Sequence, residues 1–330
     1  MGGSAVNDDW EFTKNEARTL VLLGRTGNGK SATGNSIIGK KEFTSKYSSS
    51  GVTSTCELES AQLDDGLTIN VIDTPGLFDF SGEPEVIGKE IVKCMDLAKD
   101  GIHAVLLVLS VRTRISREEQ AAVQSFQEFF GNKISDYMIV VFTGGDELEE
   151  SDETLDGYLG GCDCPEPLSE TLKLCDNRKV LFDNKTKDPT KKAKQQKELL
   201  SLVNLVLEKN DGVLYTNELF KELQAMRISY LIGDAVHEKN ETTEPIPKYY
   251  EEKYTGLTVE VTNKLMEVTQ RLVEQLATER AERVVAELKA KNAQSKFEDE
   301  IRVFRKRLDS AQRDTEEANR RMNEKRCHIL

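Results

Sequence analysis

Five short apolar runs recur along the chain: Thr19–Gly24, Leu67–Ile72, Ile102–Leu109, Tyr137–Phe142 and Lys179–Phe182. They suit strands: Leu67–Ile72 alternates, and the more continuous runs, such as Thr19–Gly24 and Ile102–Leu109, read as buried strands of a parallel sheet covered on both faces. The longest unbroken stretch, Ala104–Leu109, falls far short of the ~20 residues that a transmembrane helix needs. Leu214–Ile232 has helical periodicity, and Glu244-Pro245-Ile246-Pro247 then reads as a hinge. Beyond Gly256 there is neither Gly nor Pro, so the chain is helix-compatible for about 70 residues, roughly 100 Å if continuous. Phe297, Ile301, Phe304, Leu308, Ala311, Thr315, Ala318 and Met322 alternate by four and three, which is a heptad seam. Leu265, Val268 and Leu272 fit a seam upstream, with the register broken between the two.

Composition sharpens this division. The 330 residues suggest about two units. The formal charge is −13, which argues against nucleic-acid binding, where a basic footprint is expected. The acidity is not uniform. Leu257–Leu330 carries 16 basic and 14 acidic residues, a net +2, which leaves −15 on the front of the chain. The amino terminus lacks an apolar core, so no secretory leader is expected, and the six Cys suit a reducing compartment rather than a disulfide framework. Cys162, Cys164 and Cys175 do not have zinc-finger spacing. Val6 stands where a myristoylation signal after Gly2 needs Ser or Thr.

The first run leads into Gly24-Arg25-Thr26-Gly27-Asn28-Gly29-Lys30-Ser31, followed by Ala32 and a helix-compatible stretch to Ile38. This is G-x-x-x-x-G-K-S in its strand–loop–helix setting, the phosphate-binding loop. Its glycines let backbone N–H groups converge on phosphate oxygens, and the helix end that follows is positive. Lys30 supplies charge to the β- and γ-phosphates, and the Ser31 hydroxyl suits Mg²⁺.

The second run closes in Asp73-Thr74-Pro75-Gly76, a D-x-x-G pattern. Asp73 would hold Mg²⁺ and the Gly76 N–H would sense the γ-phosphate. Leu77 follows, where Ras-like GTPases carry a water-positioning Gln, and Leu cannot orient water by hydrogen bonding. Hydrolysis is therefore expected to be slow, or completed by a group from elsewhere. The fourth run ends in Thr143-Gly144-Gly145-Asp146, where the usual pattern is Asn-Lys-x-Asp. Asp146 is the candidate partner of guanine N1 and N2, with Glu147 a weaker one, and Gly144 replaces the lysine whose stem packs on the base. Asp183-Asn184-Lys185 follows the last run, where a base-packing loop is expected at strand carboxyl ends.

Taken together, GRTGNGKS, DTPGLFD, DGIHAVLLVLSVRTRISREEQ, TGGDELE and LFDNKTKD resemble the immunity-associated nucleotide-binding GTPases (GIMAP/IAN, avirulence-induced-gene type). The plant branch is closest, through TGGD. The resemblance covers residues 17–225 and implies an α/β fold. That fold is a Ras-like, doubly wound, mostly parallel P-loop GTPase domain, related to septins and chloroplast-import GTPases and followed here by a long helical extension. It implies GTP/GDP and Mg²⁺ as ligands, with Gly24 to Ala32 around the phosphates and Ser31, Thr53 and Asp73 as the metal set. Thr53 matches the switch-one threonine of the triphosphate state; spacing leaves Thr55 as an alternative. Lys30, Thr53 and Gly76 are the expected catalytic contributors, and Asp146 and Asn184 the base contacts.

The family is thought to dimerise across the nucleotide faces when GTP is bound. With Leu77 after switch two, Arg114 is a candidate arginine finger acting in trans, and Arg112 a second one. The tail allows two arrangements: a coiled coil that raises the local GTPase concentration, or a helix folded back to regulate access to the switches. The last four residues, Cys327-His328-Ile329-Leu330, match a prenylation motif of geranylgeranyl type. Nearby Arg320, Arg321, Lys325 and Arg326 favour an anionic leaflet.

The expected organisation is a flexible 1–16, a GTPase domain with extra helix at 17–235, a linker at 236–256, a long helix at 257–326 and the lipid motif at 327–330. The expected function is a slow GTPase switch or scaffold on the cytosolic face of the endoplasmic reticulum or another endomembrane, with a cytosolic pool, in plant defence or stress. The alternative is a GTP-binding interaction protein that does not turn over and works through its helical tail.

Overall fold

The computed structural model describes residues 17–45, 53–64, 66–77, 83–113, 117–160, 166–237 and 246–327. Six strands form one sheet in the order β2-β3-β1-β4-β5-β6. They are β1 (Arg18–Leu23), β2 (Glu57–Gln62), β3 (Thr68–Asp73), β4 (Ala104–Ser110), β5 (Met138–Thr143) and β6 (Lys179–Phe182). Only β2 runs antiparallel, pairing with β3 from Glu57 opposite Asp73 to Gln62 opposite Thr68. β1 lies between β3 and β4, both parallel to it.

The apolar runs became the strands for the expected reason. Residues 20–23, 104–109 and 138–142 are buried throughout. Each fully buried Val, Leu or Ile contributes about 1.5–3 kcal/mol, so β1, β4 and β5 anchor the sheet. β2 was not among the expected strands. Glu57-Leu58-Glu59-Ser60-Ala61-Gln62 is polar because one edge of an antiparallel pair can face water.

Helices α1 (Lys30–Ile38), α2 (Pro84–Leu97), α3 (Arg117–Phe130), α4 (Gly145–Glu150), α5 (Leu155–Gly160), α6 (Glu166–Leu174), α7 (Pro189–Lys209) and α8 (Glu218–His237) flank the sheet. A 3₁₀ turn at Asn132–Tyr137 precedes β5. α7 starts at a helix-initiating Pro189 behind Asp188, whose side chain accepts from the Thr190 N–H at 2.9 Å.

The long helix α9 runs from Ile246 to Cys327. Two expectations change here. Residues 246–256, assigned to a linker, are helical; Pro247 stands at the helix's second residue, where a missing N–H costs nothing. The compact unit containing the sheet extends to Gln270, past the expected boundary at 257. Leu257, Val261 and Leu265 are buried, Lys264 Nζ donates to Phe129 O at 2.8 Å, and its ammonium lies 4.9 Å from the Phe129 ring centre. Gly88 of α2 lets α9 come close: a Cβ there would stand 2.2 Å from Thr262 Oγ1. The second unit is Arg271–Leu330, in which the seam residues Phe297, Ile301, Phe304 and Leu308 are exposed. No helix among the described residues is long and apolar enough to cross a membrane.

Candidate nucleotide site

The loop between β1 and α1 lies at the carboxyl ends of the parallel strands, where the chain order reverses between β1 and β4. Gly24 has φ +142, and a Cβ there would sit 2.4 Å from Val108 O, so no larger residue fits against β4. Gly29 has φ +92 as the residue before α1. Two braces hold the loop: Asn28 Nδ2 donates to Val108 O at 3.1 Å, and Thr143 Oγ1 donates to Asn28 O at 2.8 Å. The Lys30 ammonium donates to Gly24 O at 2.8 Å and Arg25 O at 3.1 Å, which folds its stem over the loop. Arg25, Thr26 and Gly27 are exposed and Ala32 half-buried.

Three side-chain oxygens converge beside the loop. Ser31 Oγ donates to Asp73 Oδ2 at 2.5 Å, lies 3.1 Å from Thr53 Oγ1, and Thr53 Oγ1 donates to Asp73 Oδ2 at 3.3 Å. Thr74 Oγ1 fixes this strand end by donating to Leu22 O at 2.6 Å. Of the two candidate threonines, Thr53 reaches this set, while the Thr55 hydroxyl is bonded to Glu90. Asp73 is 1% exposed, and its Oδ1 is buried without a hydrogen-bond partner. Burial pushes the Asp73 carboxyl above its usual range, against the Ser31 hydrogen bond and the Lys30 charge. A desolvated carboxylate with one oxygen unsatisfied, beside two hydroxyls, is a hard-oxygen set that fits Mg²⁺.

Gly76 is half-buried three residues beyond Asp73. The Leu77 N–H donates to Pro75 O at 2.6 Å, and the Leu77 side chain is 4% exposed within the core. It presents no polar group to the site.

At the base end, Gly144 has φ +94, and a Cβ there would lie 2.7 Å from Val111 Cγ2. A lysine is excluded by conformation and by space. Its charge is supplied from the loop after β6: Lys185 Nζ donates to Asp146 Oδ2 at 2.5 Å. Burial opposes ionisation of Asp146, but the Lys185 hydrogen bond and charge outweigh it and hold the carboxyl below its usual value. Lys185 is placed by a turn in which Asp183 Oδ1 accepts from the N–H groups of Lys185 (2.9 Å) and Thr186 (3.0 Å).

Sequence reasoning missed this partner. The signal was present, since Lys185 stands in the loop expected beside the base, directly after Asp183-Asn184.

Three further expected site residues stand as follows. Asn184 was assigned to the base, but its side chain is turned to α1: Oδ1 accepts from Ser36 Oγ at 2.8 Å and Nδ2 donates to Thr33 Oγ1 at 3.0 Å. It ties the loop to the helix. Arg112, the second arginine-finger candidate, lies at the base end, paired with Glu147 and 3.6 Å from Asp146 Oδ2. Arg114 lies outside the described residues, as do Cys162, Cys164 and the last three residues; Cys327 ends α9.

Residues 18–231 match the AIG1 family. Immune-associated nucleotide-binding protein 9 of Arabidopsis thaliana is 50% identical over 333 residues, 98% of this chain and 97% of that protein. Immune-associated nucleotide-binding protein 13 of the same plant is 44% identical over 336 residues, again 98% and 97% of the two chains. Among solved structures, Arabidopsis thaliana Toc33 with Mg²⁺ and GMPPNP is 20% identical with a TM-score of 0.41, covering 58% of this chain and 85% of that one. A likeness of that size adds nothing to the P-loop GTPase fold already read from strand order and loop. The family match begins in β1, takes in the phosphate loop and both switch segments, and ends within α8: the chain belongs to the AIG1 family.

Proposed function

We propose that the chain binds GTP and GDP with Mg²⁺ and hydrolyses GTP slowly, as a nucleotide-controlled switch. The observation that carries this is the convergence of Ser31, Thr53 and Asp73, with Asp73 Oδ1 buried and unsatisfied. These three residues would hold Mg²⁺, which supplies charge neutralisation for phosphoryl transfer. Lys30 and the backbone N–H groups of 24–32 bind the phosphates, and the Asp146 carboxylate, hydrogen-bonded by Lys185, accepts from guanine. Leu77 lies in the core and offers no polar group to orient water, which supports slow intrinsic turnover. In this reading Arg114 of a second copy would complete the site across the nucleotide face, in a GTP-bound homodimer. The relatives' names support a role in plant immunity.

The test is binding of GDP and a nonhydrolysable GTP analogue with and without Mg²⁺, with single-turnover hydrolysis at rising protein concentration. Mg²⁺-dependent binding and a rate that climbs with concentration are expected. Equal affinity for ATP would overturn the guanine reading, and a concentration-independent rate would remove the dimer. The exposed seam from Phe297 to Leu308 supports a second reading, a GTP-binding interaction protein that works through α9 without turnover. Nucleotide binding with no measurable hydrolysis at any concentration would favour it.

In the same reading the protein associates with a cytosolic membrane face through a lipid on Cys327 and the basic residues before it. One prenyl chain binds only marginally, so both signals are required. Cys327→Ser should move the protein to the soluble fraction, and unchanged membrane fractionation would end the anchor.

A further inference from the structure

Glu90 lies in α2, outside the phosphate loop, the three-oxygen set and the base end. Its carboxylate accepts from the Cys56 backbone N–H at 2.5 Å and from the Thr55 hydroxyl, 3.1 Å from each oxygen. Lys93, one turn along, donates its ammonium to Thr55 Oγ1 at 2.6 Å. An ammonium has no acceptor capacity, so the Thr55 proton goes to Glu90. The buried Cys56 thiol adds a contact to Glu90 O at 3.3 Å. Residues 55 and 56 are thus held by one face of α2 through backbone and side chain together.

That clasp sits beside the site. Thr53 is two residues upstream, within about 7 Å of chain. Its hydroxyl is the one that meets Ser31 and Asp73. α2 itself follows the Asp73–Leu77 segment, beginning at Pro84. One helix therefore continues from switch two and grips switch one.

We propose that Glu90 is a positioning residue for the triphosphate state: it fixes the segment bearing Thr53 so that the hydroxyl completes the metal set. It acts through Thr55 and Cys56 and touches no nucleotide. The inference rests on the GTP reading above. It separates from a merely structural role because GTPase switch segments are ordered by γ-phosphate–Mg²⁺ contacts and released in the diphosphate state, so a residue that positions Thr53 should matter for the triphosphate alone.

The test uses the full chain, with affinities for GDP and a nonhydrolysable GTP analogue measured across Mg²⁺ concentrations in Glu90→Ala, Glu90→Gln and Thr53→Ala. Glu90→Ala should weaken the analogue about tenfold, the cost of stranding a buried N–H, and raise its Mg²⁺ requirement. GDP affinity should change less than about twofold on the same reasoning. Glu90→Gln keeps an acceptor for the Cys56 N–H and should recover most of the loss. Thr53→Ala should reproduce the Glu90→Ala pattern. Should Glu90→Ala fail to fold, Thr55→Val removes the hydroxyl part of the clasp while leaving the Cys56 N–H bond and the side-chain shape, and should shift the analogue alone in the same direction by a smaller factor. Equal weakening of both nucleotides, or no change in either, overturns the positioning role. A wild-type chain that binds neither nucleotide overturns the GTP reading instead, so the two failures are distinct.

Discussion

Lys185 and Asp146 form an ion pair at the base end of the nucleotide site, with Nζ 2.5 Å from Oδ2. The lysine comes from the loop after β6 and the aspartate from the first turn of α4, so the pair joins two strand ends that the sequence separates by 39 residues. A carboxylate has about four lone-pair positions, which leaves Asp146 able to accept from guanine while Lys185 stays bound. Lys185→Ala should weaken GDP binding by ~1 kcal/mol, roughly fivefold, a figure already reduced because the lysine is solvent-exposed. Lys185→Met, which keeps an apolar stem, should lose less. Titration calorimetry with GDP checks both, and an unchanged affinity would show that the pair is a surface ornament.

Gly144 makes the complementary case. Restoring the lysine of the common pattern by Gly144→Lys should damage the protein rather than improve it. The backbone is left-handed there, and Cβ would press on Val111. Strain of this kind costs about 1–3 kcal/mol, and Gly144→Ala should already show most of it. Urea denaturation of the two variants would decide, and stability equal to wild type would mean that the loop has another low-energy conformation.

Gly88 should be the most size-sensitive position in α2. Its Cβ would meet Thr262 Oγ1 at 2.2 Å and Thr262 Cα at 3.2 Å. Overpacking costs about 1–3 kcal/mol, so Gly88→Ala should raise hydrogen exchange in residues 257–268 while sparing β4 and β5. Thr262→Ala should rescue part of the effect, since Cα remains close after Oγ1 is gone. Uniform exchange changes across the sheet would argue against a local contact.

His103 predicts the acid limit of the fold. Its Nδ1 accepts from the Thr19 N–H at 3.0 Å, and burial, with Arg18 nearby, lowers its pKa to about 4. The unfolded histidine titrates near 6.5, so the unfolded state binds more protons between the two values. Stability from this site is complete above about pH 6.5 and falls as pH drops toward 4, by up to roughly 3 kcal/mol. Denaturation midpoints across this window should show the slope in wild type and lose it in His103→Asn. A slope that survives the substitution would assign it elsewhere.

Much of this molecule was determined by local sequence. The apolar runs became the five parallel strands because burial on both faces leaves little choice of partner. Gly24 to Ser31 fixed the phosphate loop, since a left-handed backbone and a close approach to Val108 admit only glycine. Asp73 was legible from its position at a strand end.

Tertiary structure decided what spacing could not. Thr53 and Thr55 are equivalent along the chain, and only folding brings the first to Asp73 and the second to Glu90. Lys185, remote in sequence, takes up the charge that Gly144 cannot carry. Asn184 turned to α1 because Thr33 and Ser36 offered both halves of its amide a partner. β2 escaped notice because an edge strand is polar on the side that faces water. α9 joined the sheet's unit as far as Gln270 because Gly88 left room for Thr262, a fit between two helices that no pattern along either one encodes. Periodicity reports which face a segment buries; it is silent on which distant side chain meets it there.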